Sequence, residues 1–234
     1  MKQENIMPQP KISFYSKYGK RILDVILSGL ALLCLSPVFI IVYLLELVYH
    51  GTPALYKTKR PGKDGIIYNV YKFRSMTNER GVDGLLLPED KRLTKFGLFI
   101  RRTSLDELPQ LLNIIRGDMS VIGPRPLLVE YLDLYSPRHK MRHAVRPGLT
   151  CGRLISCEHE SWTWRDQFEN DIYYVENVSL LLDVKMIFAV FKKAVKGSES
   201  RSKDTRVPFD GRNLDETRSK EEVENYVRYS SVSK

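Results

Sequence analysis

One stretch limits what this chain can become. From Ile22 to Val48 the sequence is almost wholly apolar, broken in the middle by Ser36-Pro37. As a straight helix it would measure roughly 40 Å at ~1.5 Å per residue, enough to cross a hydrocarbon core of ~30 Å with some tilt. Proline removes a hydrogen bond and pushes against the carbonyl four residues back, at Leu33, so a sharp bend is predicted there. The Ser36 hydroxyl can satisfy a freed carbonyl, which matters in lipid. Each half then spans roughly 18–22 Å, too short to cross alone. Lys17, Lys20 and Arg21 precede the run, and Lys57, Lys59, Arg60 and Lys63 follow it. Basic flanks mark the cytoplasmic side. Both flanks ask for the same side, so the pattern predicts a hairpin that enters one leaflet and returns. A single kinked transmembrane helix is the alternative. A secretory signal does not fit, because the run is long, Asp24 interrupts its start and no small-residue cleavage site follows.

The rest is sized for one globular domain. The formal charge is +9, which favours an anionic partner: nucleic acid, a phosphorylated substrate or acidic lipid. The three cysteines, Cys34, Cys151 and Cys157, suggest no disulfide framework and a reducing, cytosol-facing compartment. There is no internal repeat.

The expected organisation is a flexible leader (1–16), a re-entrant hairpin (17–50), a catalytic domain (51–197) and a polar tail (198–234) with a short helix near Glu221–Arg228. Ala54–Arg60 and Ile66–Phe73 carry strand formers around a Pro61–Gly65 turn, which predicts a β-hairpin. Tyr56, Lys72 and Arg74 give it a basic, aromatic surface. Residues 77–94 read as an exposed loop, 95–102 as a short helix, 109–116 as a helix stopped by Gly117, and 127–144 as helical. Leu180–Val195 repeats apolar residues at helical spacing, as for a helix lying on the core or on a membrane. Trp162, Trp164, Phe168, Tyr173 and Tyr174 divide between core and headgroup layer.

The candidate chemistry lies in Thr103-Ser104-Leu105-Asp106-Glu107-Leu108-Pro109-Gln110. Ser104 and Glu107 have capping-box spacing, placing Asp106 and Glu107 at or just inside a helix start behind Arg101 and Arg102. An ionised Asp beside arginines can attack phosphorus or bind magnesium. An ordinary capped helix start has the same pattern. Arg125 sits between Pro124 and Pro126, a stiff mount for a phosphate-binding guanidinium or a solvated turn. Arg146-Pro147-Gly148 is a second such turn, and Asp118 reads as a turn residue. His139 and His143 have metal-ligand spacing without an acidic partner between them. Cys151, Cys157 and His159 lack a fourth zinc ligand and read as unliganded.

Together, and in order, Lys20-Arg21-Ile22-Leu23-Asp24, Ser36-Pro37, Tyr71-Lys72-Phe73-Arg74-Ser75-Met76, the Arg101–Gln110 stretch, Gly117-Asp118-Met119-Ser120, Pro124-Arg125-Pro126, Arg146-Pro147-Gly148-Leu149-Thr150 and Tyr173-Tyr174-Val175-Glu176-Asn177 resemble the bacterial sugar transferases. These are small monotopic phosphoglycosyl transferases that initiate surface glycans. The resemblance spans about residues 15–197 and is to the minimal form, with no large membrane domain ahead of the catalytic part. The chain departs from the family pattern at Cys151–Cys157.

The resemblance implies an α+β fold: a re-entrant hairpin, a small, mostly helical cytoplasmic domain carrying a β-hairpin, and interfacial helices. It implies transfer of a sugar-1-phosphate from a nucleotide diphosphate sugar to polyprenol (undecaprenyl) phosphate. The location is the cytoplasmic face of the bacterial inner membrane, with Mg2+ as cofactor. Asp106 would be the nucleophile, with Glu107 as a base or magnesium ligand, and Asp106 and Glu107 the candidate metal residues. Arg101, Arg125, Arg146, Lys72 and Arg74 would bind substrate. Membrane lipids are expected partners, nucleic acid is not, and a homo-oligomer is left open. A membrane-tethered basic binding protein or an inactive scaffold is the competing expectation.

Overall fold

The computed structural model describes residues 7–155, 162–195 and 206–215. A π-helical turn, Tyr15–Gly19, runs into helix α1 (Lys20–Cys34), and α2 (Ser36–Tyr49) follows after one residue. The two helical stretches meet at a 65° bend. Pro37 sits at the start of α2, and Ser36 Oγ donates to the Leu33 carbonyl at 2.8 Å, as the missing proline N–H requires. Among the described residues no single helix is long and apolar enough to cross a membrane, although the bent pair passes that test together.

This pair is inside-out by the standard of a helix in water. Lys20, Asp24, Ser28 and Glu46 are buried, whereas Ile22, Ile26, Leu30, Leu33, Ile40, Ile41, Leu44 and Val48 are exposed. Buried polar groups need partners, and Lys20 and Asp24 on the buried face of α1 have them, whereas the Ser28 hydroxyl has none among the described residues. Lys20 Nζ meets Asp183 Oδ2 at 2.6 Å. Both Ser120 Oγ and the Val121 N–H donate to Asp24 Oδ1 at 2.9 Å. Arg21 donates to the Ile114 and Ile115 carbonyls. Those carbonyls belong to the last turn of a helix, where the negative end of the helix dipole favours a cation; that of Ile114 also accepts the Gly117 N–H.

The hairpin β1 (Leu55–Pro61) and β2 (Ile67–Phe73) is antiparallel, in register from Leu55↔Phe73 to Pro61↔Ile67. Its turn uses positive φ at Asp64 and Gly65. Leu55 and Phe73 rest on Val38, Phe39 and Val42 of α2. The stretch read as a loop, 77–94, is folded back by bridges Met76↔Leu93 and Arg80↔Leu86 and holds helix α3 (Glu89–Arg92). Helices α4 (Lys95–Thr103) and α5 (Gln110–Arg116) follow, α5 ending at Gly117 with φ 100°.

Strand β3 (Ser120–Ile122) pairs in parallel with β4 (Gly148–Thr150), a sheet that three-residue runs do not announce. Between them the helix expected over 127–144 is broken into a 3-10 segment Val129–Leu134, helix α6 (Pro137–Lys140) and a second 3-10 segment Met141–Ala144. Pro137 cannot continue a preceding turn, and Ser136 starts a new one by accepting the His139 N–H. Helices α7 (Trp164–Asn177) and α8 (Leu180–Val195) complete the element order, α7 opening with a capping box between Thr163 and Asp166.

Two boundary expectations need correction. The leader is not loose from residue 7 onward: Pro8 is buried, the Lys11 N–H bonds the Val175 carbonyl at 3.0 Å, and Tyr15 OH donates to Asp183 Oδ2. The tail is not wholly free of the core either. Phe209 is buried among Tyr131, Tyr135, Trp164 and Phe168, and Trp164 Nε1 donates to the Val207 carbonyl at 2.7 Å. One aromatic ring is enough to dock a polar segment. Glu221–Arg228 lies outside the described residues. Of the aromatic segment, Trp164, Phe168 and Tyr174 are core and Tyr173 is exposed.

Asp24 links the bent pair to β3, so Asp24→Ala should leave the Val121 N–H and Ser120 hydroxyl without their shared acceptor. The expected cost is about 2–4 kcal/mol, read as a lower thermal midpoint of detergent-solubilised protein. An unchanged midpoint would show that the bent helices are held by apolar contact alone.

Candidate active site

The two carboxylates sit in a tight corner between α4 and α5. Thr94 opens α4 by accepting the Gly97 N–H at 2.8 Å, and Ser104 closes it in the left-handed region at φ 63°. One 3-10 turn, Leu105–Glu107, follows before α5 starts after Pro109. Leu105 packs into the cluster of Val42, Phe73 and Ile100, and Leu108 bridges that cluster and the one around Leu111, Ile114 and Met119. The two leucines are three residues apart, so one side of the turn is fixed and Asp106 is held almost fully buried.

The capping box does not form as expected. Ser104 makes no side-chain cap bond, and the Glu107 N–H goes to the Ser104 carbonyl at 3.1 Å. Ser104 ends one helix instead of starting the next, so Asp106 and Glu107 precede α5 and are not inside it.

Glu107 is where cations converge. Its Oε1 accepts from Lys72 Nζ at 3.1 Å and from Arg125 at 3.0 Å. Lys72 comes from β2 and Arg125 from the Pro124–Pro126 turn, so three separate segments meet there. Arg101, in the last turn of α4, donates from Nε to Ser75 Oγ at 2.7 Å. Arg146 donates from Nε to the Gly117 carbonyl at 2.8 Å, at the end of α5 away from the carboxylates. Arg74 is buried, bonds the Pro53 carbonyl at 3.2 Å and lies beside Glu46 and His50. The structure thus joins Lys72, Arg125 and Glu107 directly and gives Arg74 and Arg146 partners in the framework.

Three framework residues escaped the sequence reading. Asn113, fully buried in α5, accepts the Tyr71 N–H and donates to the Asn69 carbonyl and to Asp118 Oδ2, locking β2 to α5. A polar residue inside the apolar run 111–115 was the available signal. Arg142 is buried, meets Asp171 Oδ2 through Nε at 3.0 Å and through a terminal nitrogen at 2.7 Å, and donates to the Arg125 carbonyl at 2.8 Å. It holds the backbone that aims Arg125. The third is Asp183, which accepts from Lys20, Tyr15 and Tyr174.

The histidine pair is not a metal site. His139 stacks on Phe168 with centroids 4.6 Å apart, while His143 Nδ1 faces the Gly62 carbonyl at 3.1 Å. Burial and the adjacent Arg142 push the His143 pKa down to about 4. Burial also lifts the Cys151 thiol to about 12, so it is an unreactive thiol. Cys157 and His159 lie outside the described residues. Among the described residues no three His, Cys, Asp or Glu side chains gather to hold a metal. Magnesium commonly uses one or two carboxylates and completes its shell with water and substrate phosphate, so Asp106 and Glu107 are the residues that would hold it.

The family model for bacterial sugar transferases matches residues 15–197. The uncharacterized sugar transferase EpsL of Bacillus subtilis (strain 168) is 42% identical over 75% of this chain and 87% of the relative. The exopolysaccharide production protein ExoY of Sinorhizobium fredii is 39% identical over 73% of this chain and 82% of the relative. The UDP-glucose:undecaprenyl-phosphate glucose-1-phosphate transferase of Klebsiella pneumoniae is 36% identical, and the match covers 76% of this chain but only 41% of that longer protein.

His143 is neutral in the fold below the pH at which a free histidine charges. Between pH about 6.5 and about 4 the unfolded chain therefore binds a proton that the native state refuses, and stability falls as pH falls, by up to about 1.4 kcal/mol per pH unit. Unfolding midpoints measured across this window should slope more steeply than those of His143→Gln. Equal slopes would mean that His143 is protonated in the folded protein. With a family-model match over residues 15–197 and relatives of similar length, the chain belongs to the bacterial sugar transferase family.

Proposed function

We propose that this protein is a phosphoglycosyl transferase that moves a sugar-1-phosphate from a nucleotide diphosphate sugar to polyprenol phosphate, as the first membrane step of a surface polysaccharide. The observation that carries the proposal is the corner at Asp106 and Glu107. A buried carboxylate adjoins one already bridged to Lys72 and Arg125, directly beside a helical pair with an apolar outer face. The relatives' names point to the same donors and acceptor. They include a UDP-glucose:undecaprenyl-phosphate glucose-1-phosphate transferase and a UDP-N-acetylgalactosamine-undecaprenyl-phosphate N-acetylgalactosaminephosphotransferase of Aeromonas hydrophila.

In this mechanism Asp106 attacks the sugar-bearing phosphorus and the nucleoside monophosphate leaves. The lipid phosphate then takes the sugar phosphate from the aspartyl anhydride. Splitting one displacement into two lets a single site serve a soluble donor and a lipid acceptor in turn. Lys72 and Arg125 offset the repulsion between carboxylate and diphosphate. Glu107 keeps both cations in place, and Arg101 stands behind the carboxylates for the same purpose. Magnesium held by Asp106 and Glu107 would supply further charge neutralisation on the diphosphate.

The bent pair is the membrane element. Its exposed apolar face is far larger than a soluble surface tolerates, and its two basic flanks belong on one side. It therefore enters and leaves by the cytoplasmic face of the inner membrane, and the catalytic corner sits at the headgroup level where polyprenol phosphate presents its charge.

Detergent-purified protein with magnesium, undecaprenyl phosphate and UDP-glucose or UDP-N-acetylgalactosamine should release UMP. Asp106→Asn should lower release by at least roughly 10³-fold with an unchanged thermal midpoint. A folded Asp106→Asn variant of full activity would reject the nucleophile.

A further inference from the structure

We infer that Arg60 is a second phosphate-binding residue, which holds the phosphate that departs with the nucleoside. The inference deepens the proposed function and rests on it.

The placement follows from the register of the hairpin. Tyr56 pairs with Lys72 and Arg60 with Tyr68. Side chains alternate along a strand, so Tyr56, Thr58 and Arg60 share the face from which Lys72 reaches Glu107. Glu130, Arg125, Tyr56 and Tyr68 are close enough to act on Arg60 electrostatically. Arg60 is half-buried, and its guanidinium makes no hydrogen bond or ion pair among the described residues. Burial holds its pKa below the usual arginine range. A desolvated guanidinium near a second one costs free energy unless an anion joins them, and arginine matches phosphate bidentately.

The direction of the strand decides which phosphate goes there. The Leu55 end of β1 rests on α2, and Arg60 lies roughly 17 Å farther along at ~3.4 Å per residue. The lipid acceptor must arrive from the α2 end, past Tyr56 and Lys72. The far end is left for the water-soluble product. As the Asp106 Oδ–P bond forms, the bond from phosphorus to the bridging oxygen breaks, and that oxygen leaves on the nucleoside monophosphate. No proton moves, so the departing phosphate gains one negative charge. Arg60 and Arg125 meet that charge where it develops.

The test uses the full chain in detergent, UDP-glucose or UDP-N-acetylgalactosamine as donor, and UMP as product inhibitor. Arg60→Gln should weaken UMP inhibition about 10-fold to 100-fold and raise the donor KM. The KM for undecaprenyl phosphate and the thermal midpoint should not move, and Arg60→Lys should fall between. Glu130→Gln should leave UMP inhibition as it is. Unchanged UMP inhibition in Arg60→Gln, with Asp106→Asn inactive, overturns the role of Arg60 and leaves the proposed function standing. A Glu130→Gln variant that reproduces the Arg60→Gln effect with a lowered midpoint overturns it too, because Arg60 would then act as a structural partner of Glu130. An active Asp106→Asn variant removes the underlying function as well.

Discussion

The polar face of α1 is the constraint on which the rest depends. Lys20, Arg21 and Asp24 are successive neighbours on one helical face, and each grips a different part of the domain. Lys20 holds Asp183 of α8, Arg21 holds the last carbonyls of α5, and Asp24 holds the start of β3. Burying Lys20 and Asp24, with Arg21 partly buried beside them, is costly unless each charge is matched. Matched, they leave a single way to seat the helix. The apolar residues then have nowhere to go but outward, which is how a helix with charged residues inside its contact face comes to present a lipid-compatible surface. Because Arg21 closes the far end of α5, the same contact fixes the helix that the Asp106–Glu107 turn leads into.

Around the carboxylates the design is one of balance. Glu107 accepts from two cations that reach it from separate segments, and each cation is set by rigid surroundings. Lys72 is on a strand locked to α5 through Asn113. Arg125 is flanked by prolines, and its carbonyl is pinned by Arg142, itself paired with Asp171 in full burial. The close approach of Gly148 to Gly123 serves the same end. A Cβ at Gly148 would stand 2.1 Å from the Gly123 nitrogen, so the parallel pair that carries this loop requires glycine there. Groups preorganised in this way need little rearrangement when charge shifts during reaction.

Much of this was legible in the sequence because it rests on local chemistry. The Ser36-Pro37 bend, the Pro61–Gly65 turn and the Gly117 stop each follow from the φ or hydrogen-bond needs of one or two residues. What was not legible depends on distance in the chain. Ser104 has an ordinary N-cap sequence, but tertiary packing of Leu105 and Leu108 turned it into a helix end. The β3–β4 pair joins two three-residue runs that have no periodicity to detect. Nothing local in the sequence pairs Arg142 with Asp171, which lies 29 residues further on. The docking of residues 206–215 hung on a single phenylalanine in a polar stretch. Family resemblance pointed to the Asp106–Glu107 stretch, while the division of its arginines between Glu107 and the framework needed coordinates.

The central claim is that the Asp106 carboxylate becomes covalently bonded to the sugar phosphate. It is tested most directly by mass spectrometry of the intact protein mixed with magnesium and a UDP-sugar in the absence of polyprenol phosphate. The account predicts a mass increase of one sugar phosphate, mapping to Asp106 and discharged when undecaprenyl phosphate is added. UMP release that begins only with the acceptor present, and no adduct on the chain at any time, would contradict it.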